Sequence, residues 1–509
     1  MASFEWILAL LCGALTMSGI ARRLRIPWPT LLAVGGAALA LVPKAPRLEL
    51  DPSLALALFV APVLVDSAFD ASQRDLRRNW ASLSGLIVVA VTLTAFGVAL
   101  VARRLRPDLP FAVALVLGAI VAPPDAAAAS TVLRSVKLPH RILTILEGES
   151  LLNDASALLL YRVAIGAATT AGFSYARELP LAGLSIVASI IAGVVSARLW
   201  GRLVLEKLDY APSSIIVQFI GTFGTWIFAE KVGLSGVLTL VAFAFTASRR
   251  NAMPARLRVP SFAVWETAVF MLNVFAFVII GLQLRPILEA LSPEERTQDL
   301  LFAGAILVTV IVCRFAWVMF YNACVRWYLH GRKTDNPLLV PTVRGGLLIS
   351  WCGMRGVVTL ATALALPADF PRRGLLMLTA FVVTLGTLLF QGLTLRGVIR
   401  WFDLKDDSPV EREVGEAWRK ALEAARATLD GEDSEAADVL RREYDAAIRA
   451  TENDEPTRPA LPGDALRLKA VNAARDTVHE LRETGAIGND AFNLLQEELD
   501  RLELSAAET

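Results

Sequence analysis

The stretch Glu147–Tyr161, EGESLLNDASALLLY, places acids and an amide inside a run that is otherwise apolar. At 100° per residue, Ser150 and Asp154 lie one helical turn apart on one stripe, whereas Glu149 and Asn153 form a second stripe. A carboxylate in a membrane helix costs about 2.5–3.5 kcal/mol on insertion scales, so such groups normally face a partner or a water-filled cavity. The pattern therefore predicts an ion or proton site. The alternative, a loop followed by a shorter helix, accounts poorly for Asp154.

A further acid, Asp125, follows Pro123 and Pro124 inside another apolar segment. Two prolines remove backbone donors and release carbonyls that a helix would otherwise bond. Unwound backbone at membrane depth is tolerated only where it is buried in protein or lines a cavity. Freed carbonyls beside a carboxylate are suitable oxygen ligands for a hard cation. The alternative interpretation is a loop between two short spans.

The sequence Gly353-Met354-Arg355-Gly356 interrupts a later apolar segment in the same way. Glycines on both sides of a cation in the middle of a span predict a second discontinuous helix. Broken spans at matching places in two halves are what an inverted repeat produces. The halves show no similarity at the level of residues, so this symmetry depends on the pattern of spans alone.

Arg314 is an isolated cation in the apolar run IVCRFAWV, and burying it requires a carboxylate partner. Glu149, on the stripe turned away from Asp154, is the best candidate, and Arg355 is the alternative partner for that glutamate. If an arginine holds Glu149, the glutamate is structural and Asp154 stays free to titrate. Asp66, in PVLVDSAF, is an acid near the end of a span, where it could equally be interfacial.

The whole composition indicates a polytopic membrane protein. The chain has 509 residues, of which 55% are hydrophobic and 19% are charged, and its mean hydropathy is +0.52. Repeated apolar runs of about 20 residues are typical of membrane-spanning helices and not of soluble domains. The four cysteines show no metal-ligand spacing, and no cofactor is expected. Hydropathy predicts about thirteen spans, near residues 4–20, 30–43, 53–69, 82–102, 110–136, 146–170, 180–205, 213–230, 232–248, 262–284, 299–328, 342–367 and 374–399.

Charge predicts the orientation, and a change in composition predicts the domains. Arginine and lysine are about twice as frequent in the loops of one side, which should be cytoplasmic. The N-terminus is then outside and the C-terminus inside an inner, or cell, membrane. Residues 1–400 form the transmembrane domain. Residues 401–509 are rich in Ala, Glu and Arg and predict a helical cytoplasmic tail, with disorder around 429–436 and 451–463. This tail is expected to regulate or to stabilise a dimer, and it could bind a ligand or a protein.

These pieces together resemble the monovalent cation:proton antiporter-1 family, the Na+/H+ exchangers with bacterial NhaP-type members. The matching segments cover most of residues 50–400 in family order, and GESLLND is a highly specific motif. The segments that carry the resemblance are PVLVDSAF, VAPPDAAAAS, EGESLLNDASALLLYR, FVIIGLQL, VCRFAWV and GMRGVVTLATALALP.

The resemblance implies a fold and a set of roles. The fold is all-α, with thirteen transmembrane helices in two inverted six-helix repeats with crossed broken helices, assembled as a homodimer in which a core domain moves against a dimerisation domain. Asp154 would bind the ion and exchange the proton, and Asn153 before it is typical of the electroneutral subgroup. The resemblance favours pairing Glu149 with Arg314. It assigns the remaining site to Asp125, the carbonyl of Pro124, Ser150 and Asp66.

Two positions depart from the family pattern. Pro124 stands where threonine is frequent, so a backbone carbonyl is kept but a hydroxyl is lost, and ion selectivity need not follow the better-known members. Asp66 stands where many relatives have the longer glutamate, which puts a direct role for it in doubt.

The predicted function is secondary transport that exchanges Na+, or Li+ or K+, for protons. A buried carboxylate favours its neutral form unless a cation lies beside it, so a proton and a metal ion compete for Asp154. The expected partners are these ions, the lipid bilayer and a second copy of the chain, with no nucleic acid. The rival functions are a cation channel and an intramembrane aspartyl hydrolase that uses Asp125 and Asp154. No aspartyl-protease signature such as GxGD is present, so no enzymatic activity is predicted.

Overall fold

A computed structural model describes most of the chain, and its described residues are helical with short connections. The described residues are 2–24, 26–42, 52–125, 129, 133, 138–169, 174–203, 208–250, 254–289, 296–329, 341–403, 409–452, 464–484, 492, 495–496 and 498–503. By contacts the chain divides into two compact units, Met1–Lys405 and Asp406–Thr509.

The first unit contains the apolar helices. In chain order they are α1 (Ala2–Leu24), α2 (Trp28–Ala40), α3 (Pro52–Asp70), α4 (Gln73–Arg78), α5 (Trp80–Leu105), α6 (Phe111–Val121), α7 (His140–Thr169), α8 (Tyr175–Leu203), α9 (Ala211–Lys231), α10 (Gly236–Arg250), α11 (Ala255–Leu282), α12 (Leu284–Glu289), α13 (Arg296–Leu329), α14 (Val343–Trp351), α15 (Val357–Leu364) and α16 (Arg373–Phe402).

Each predicted apolar segment contains a described helix. Seven helical stretches within the described residues are long and apolar enough to cross a membrane. They are α5, α7, α9 and α16, most of α8 and α13, and α11 together with α12. Shorter apolar helices are found in α1, α2, α3, α6 and α10. The number of thirteen spans and the inverted repeat remain predictions.

Both predicted helix interruptions are present. The helix α6 ends at Val121, and residues 122–125 run without helical structure through the two prolines. Because proline lacks an N–H and its ring clashes with the preceding turn, the helix cannot continue through this pair. The helix α14 ends at Trp351, residues 352–356 are again non-helical, and α15 begins at Val357.

Two π-helical stretches, at Gly85–Ala90 in α5 and Leu388–Gly392 in α16, were not predicted from the sequence. In each, a backbone carbonyl accepts a hydrogen bond from a hydroxyl group on a neighbouring helix. The Ser156 hydroxyl donates to the Ile87 carbonyl at 2.6 Å, and the Thr30 hydroxyl donates to the Leu388 carbonyl at 3.1 Å. A π turn shifts the carbonyl ladder locally, so these bonds attach α7 and α2 to the widened turns.

The helices α2 and α11 approach each other through glycine. A side chain at Gly36 would collide with the backbone of Val278, and one at Gly281 would collide with the backbone of Ala33. Since apolar side chains gain little by leaving lipid, small residues that let backbones pack closely are a main source of helix association in membranes.

The second unit is a set of amphipathic helices, α17 (Pro409–Ala427), α18 (Glu435–Glu452) and α19 (Asp464–Glu483). Apolar side chains of these helices are buried, among them Leu422, Ala447 and Val471. Disorder was predicted around 429–436; residues 428–434 form the turn between α17 and α18, and α18 begins at Glu435. The other predicted disordered stretch lies mostly outside the described residues.

Candidate ion-binding site

The two interrupted segments contact each other directly. The backbone N–H of Asp125 donates to the carbonyl of Met354 at 2.7 Å. The carboxylate of Asp125 lies against Gly356, where any side chain would collide with it. Gly356 immediately precedes α15, so this carboxylate faces the positive end of a helix dipole, which is a favourable position for an anion.

Arg355 is buried at the same crossing and satisfies carbonyls that the break in α6 leaves open. Its guanidinium donates to the carbonyls of Val121 at 2.9 Å and Ala122 at 3.0 Å, and also to that of Gly353. Its backbone N–H donates to the Thr387 hydroxyl at 3.0 Å. A helix end buried without such partners would be costly. The cation therefore holds the end of α6 in place.

The polar stripe of α7 reaches the first unwound segment. The amide of Asn153 is fully buried and donates to the carbonyl of Pro124 at 2.5 Å. Its own oxygen Oδ1 is buried and has no hydrogen-bond partner among the described residues. An unsatisfied buried acceptor costs roughly 1–3 kcal/mol. With respect to the described residues, that oxygen is therefore available as a ligand beside the end of α6.

Asp154 is the next residue, and its side chain is only 8% exposed. Within the described part of the chain, this side chain makes no ion pair and accepts no hydrogen bond. Asp125 is close enough for the two negative charges to repel each other. A buried carboxylate in this position needs either a proton or a cation to be neutral.

Glu149 has the opposite environment. Its two oxygens accept from the guanidinium of Arg314 at 2.5 and 2.9 Å, and both side chains are about 2–3% exposed. Arg314 also donates to the Ile349 carbonyl at 2.9 and 3.3 Å. The pair thus connects α7, α13 and α14. Between the two arginines that the sequence left open for Glu149, the geometry selects Arg314, since Arg355 donates to carbonyls.

The remaining two predicted residues, Ser150 and Asp66, lie on different helices. Ser150 is half-buried on α7, one turn before Asp154. Asp66 is half-buried on α3 and lines a cavity of about 260 Å³ with Phe69, Gln218 and Trp265. The lining of that cavity includes neither Asp125 nor Asp154.

A polar cluster at the start of α7 was not predicted to matter. His140, the first residue of α7, has its Nε2 3.2 Å from a carboxylate oxygen of Asp75 on α4. Burial raises the pKa of Asp75, but the hydrogen bonds with Ser72 and His140, together with the charges of His140 and Arg74, leave the pKa below its ordinary value. The spacing between residues 75 and 140 carries no signal of this contact.

The fold and the site together define a class of protein. A helix that ends in an unwound segment and a second helix that is broken meet here within an apolar helical unit. They lie beside a buried carboxylate that has no ion-pair or hydrogen-bond partner among the described residues, and such an arrangement is typical of secondary transporters. Residues 7–401 match the model of a family described as the transmembrane sodium/hydrogen exchanger. The chain belongs to this family and is a multi-pass membrane protein.

Individual relatives agree with this assignment. An uncharacterized Na+/H+ exchanger of Mycobacterium tuberculosis is 30% identical, over 97% of this chain and 94% of that protein. A sodium, potassium, lithium and rubidium/H+ antiporter of Bacillus subtilis is 29% identical, over 94% of this chain and 74% of that protein. The structure of the sodium proton antiporter MjNhaP1 from Methanocaldococcus jannaschii is similar in fold, with a TM-score of 0.56, 18% identity, and coverage of 79% of this chain and 99% of that chain.

Proposed function

We propose that this protein exchanges a monovalent cation for a proton and that Asp154 is the group that binds either one. The observation that carries the proposal is the contrast between two acids on one helix. Glu149 is neutralised by Arg314 through two hydrogen bonds. Asp154, five residues later, is buried and has no such partner in the described residues.

The proposed cation ligands are oxygen atoms that meet at the break in α6. They are the carboxylates of Asp154 and Asp125, the carbonyl of Pro124 and the amide oxygen of Asn153. Ser150 is proposed as a further ligand from the same face of α7. Hard cations are bound by carboxylates and carbonyls of this kind. The cations proposed are Na+, Li+ and K+, in line with the ions in the name of the Bacillus subtilis relative.

Asp66 has a less direct role in this proposal. Its position in the lining of a cavity among α3, α9, α10 and α11 suits an acid that attracts cations toward the site.

The local charges support a one-for-one, electroneutral exchange. The pair Glu149–Arg314 has no net charge, and Arg355 supplies one positive charge at the crossing where Asp125 lies. Asp154 is then the carboxylate left to be neutralised by one proton or one cation. An empty, charged site would be costly to carry across a dry barrier. Only the two neutral forms would cross, and the two fluxes would be coupled by alternating access. We propose no cofactor and no enzymatic step.

We also propose the predicted orientation and assembly. The N-terminus is outside and the C-terminal unit is cytoplasmic, from the arginine and lysine content of the loops. A homodimer is proposed from the family, and regulation by a ligand or protein is proposed for the second unit.

The test is exchange by purified protein in vesicles. Asp154→Asn should abolish proton movement driven by Na+, Li+ or K+, because the amide cannot exchange a proton. Glu147→Gln is the matched control, an exposed acid on the same helix, and should retain exchange. Cations should raise the Tm of the wild type but not that of Asp154→Asn, because a ligand stabilises the state that binds it. Retained exchange in Asp154→Asn would overturn the assignment, and cation flux without a proton counter-flux would indicate a channel.

A further inference from the structure

A cavity of about 680 Å³ lies between α7 and the helices α8, α9 and α10. On α7 its lining begins at Ala155, the neighbour of Asp154, and continues through Arg162 to Gly166. Across the cavity the lining includes two acids, Glu178 and Glu230. The lining includes neither Asp154 nor Asp125, so the cavity lies along α7 beyond the proposed ion site, on the side at which α7 and α9 end.

One ion pair spans this cavity. Nη2 of Arg162 donates to both carboxylate oxygens of Glu230 at 3.0 Å, and Nη1 donates to the carbonyl of Leu234 at 3.3 Å. Arg162 follows Asp154 by eight residues, which is about 12 Å along the helix at 1.5 Å per residue. The pair therefore joins the helix that carries Asp154 to α9 at a point closer to the C-terminal end of α7.

The two partners are anchored differently. Glu230 also accepts from the backbone N–H of Gly236 at 3.2 Å, the first residue of α10. This bond holds the carboxylate at the turn between α9 and α10. Arg162 donates to the Leu234 carbonyl in the same turn, and both side chains of the pair are nearly half exposed. The side chain of Arg162 is long and has several rotatable bonds, so it can reach other rotamers in which the pair is broken.

The helix α7 lies between two apolar clusters. Ala157, Tyr161 and Ala164 pack with α5, α6, α13 and α16. Leu151 and Ala155, on another face of α7, pack with α3, α9, α10 and α11. The pair Arg162–Glu230 is thus a polar connection between the helix that carries Asp154 and the second of these clusters, at a place where a cavity replaces apolar packing.

We propose that Arg162 and Glu230 are positioning residues that form a clasp across this cavity and bias the balance between the two access states of the transporter. With the clasp closed, α7 is held against the α9–α10 turn. Weakening the clasp favours the conformation in which the cavity widens and Asp154 is reached from this side, which is the external side in the proposed orientation. This inference depends on the proposed exchange function.

The first test measures the apparent KM for Na+ separately on each side of oriented vesicles. In Arg162→Gln and Glu230→Gln, KM should fall on the side of the α9–α10 turn and rise on the opposite side. The expected change in KM is about 1.4- to fivefold, which corresponds to the free energy that an exposed ion pair typically contributes. Glu230→Gln keeps an oxygen for the Gly236 N–H, and Arg162→Lys keeps the charge and should stay near the wild type. The double variant should match the single variants, because the residues act as one unit.

The matched control is Asp108→Asn. Asp108 pairs with Arg372 at 3.0 Å, and both side chains are about half exposed. Their neighbours Leu109 and Phe370 belong to one apolar cluster, so this pair does not span the cavity. Asp108→Asn should therefore leave the KM for Na+ unchanged on both sides. Equal KM values for the wild type and the clasp variants, or the same shift in Asp108→Asn, would refute the clasp and leave the exchange function standing.

A second measurement does not depend on exchange. A cysteine introduced by Leu159→Cys in the cavity lining, in a chain whose four native cysteines are replaced, is labelled with a membrane-impermeant thiol reagent. Adding Glu230→Gln should speed labelling from the side of the α9–α10 turn, whereas adding Asp108→Asn should not. Unchanged labelling would refute the clasp even if the protein proved to be no exchanger.

Discussion

Removing one partner of the buried pair Glu149–Arg314 should destabilise the transmembrane unit strongly. Both side chains are about 2–3% exposed, and breaking a buried ion pair by removing one partner typically costs about 3–5 kcal/mol. Arg314→Met keeps the apolar volume but removes the ion-pair partner of Glu149, and Glu149→Gln removes the charged partner of Arg314. A stranded carboxylate can neutralise itself by taking up a proton, whereas a guanidinium cannot. Glu149→Gln should therefore cost more than Arg314→Met.

The expected shift in Tm follows from the size of the unit. An entropy of unfolding of about 2.1 cal/mol/K per residue over roughly 400 residues makes 3–5 kcal/mol equal to about 4–6 °C. Helices that persist after unfolding in detergent would reduce that entropy and enlarge the shift. Thermal melts of the purified variants, followed by a probe of tertiary structure, measure this directly.

The double variant Glu149→Gln with Arg314→Met separates a structural pair from a transport group. Because no charge is left alone, it should recover much of the stability that each single variant loses. It should also retain exchange per folded molecule, since neither residue is proposed to bind the ion. A Tm equal to that of the wild type in both single variants would refute the reasoning. A double variant that is as unstable as the sum of the two losses would refute it as well.

Two further predictions concern a close approach and a pH dependence. Gly356→Ala should displace the carboxylate of Asp125 and lower cation-dependent exchange several-fold while the protein still folds. The control is Gly397→Ala, because Gly397 has open space around it. Equal exchange activity of the two variants in vesicles would contradict the site geometry. For Asp75, a lowered pKa in the folded state means that its carboxylate stabilises the protein above pH about 4, and this contribution is lost as the pH falls through the lowered value. Asp75→Asn should thus lower Tm at pH 7, and the difference in Tm between the variant and the wild type should be smaller near pH 3. If this difference does not change with pH, the contact with His140 does not stabilise the charged form of Asp75.

Local sequence was sufficient for features that depend on neighbouring residues. Pro123 and Pro124 end a helix through backbone chemistry that acts within one turn, and the unwound segment after Val121 lies where they predicted it. The alternation of polar stripes in α7 likewise separated Glu149 from Asp154 before any partner was known, because helical spacing alone decides which residues share a face.

Contacts between distant parts of the chain were decided by tertiary structure. The sequence left Arg314 and Arg355 open as partners of Glu149, and only the packing of α7, α13 and α14 selects Arg314, 165 positions away. The widened turn at Gly85–Ala90 and the pair Arg162–Glu230 have no local signal, since each exists because another helix lies beside it.

The amino-acid sequence by itself therefore determined which residues are polar inside apolar helices and where those helices break, because insertion cost and backbone chemistry are local. Only the folded structure decided which of the buried charges are neutralised by a neighbour. Asp154 was left without such a neighbour among the described residues because the available guanidinium groups are bound to Glu149 and to the open carbonyls of α6.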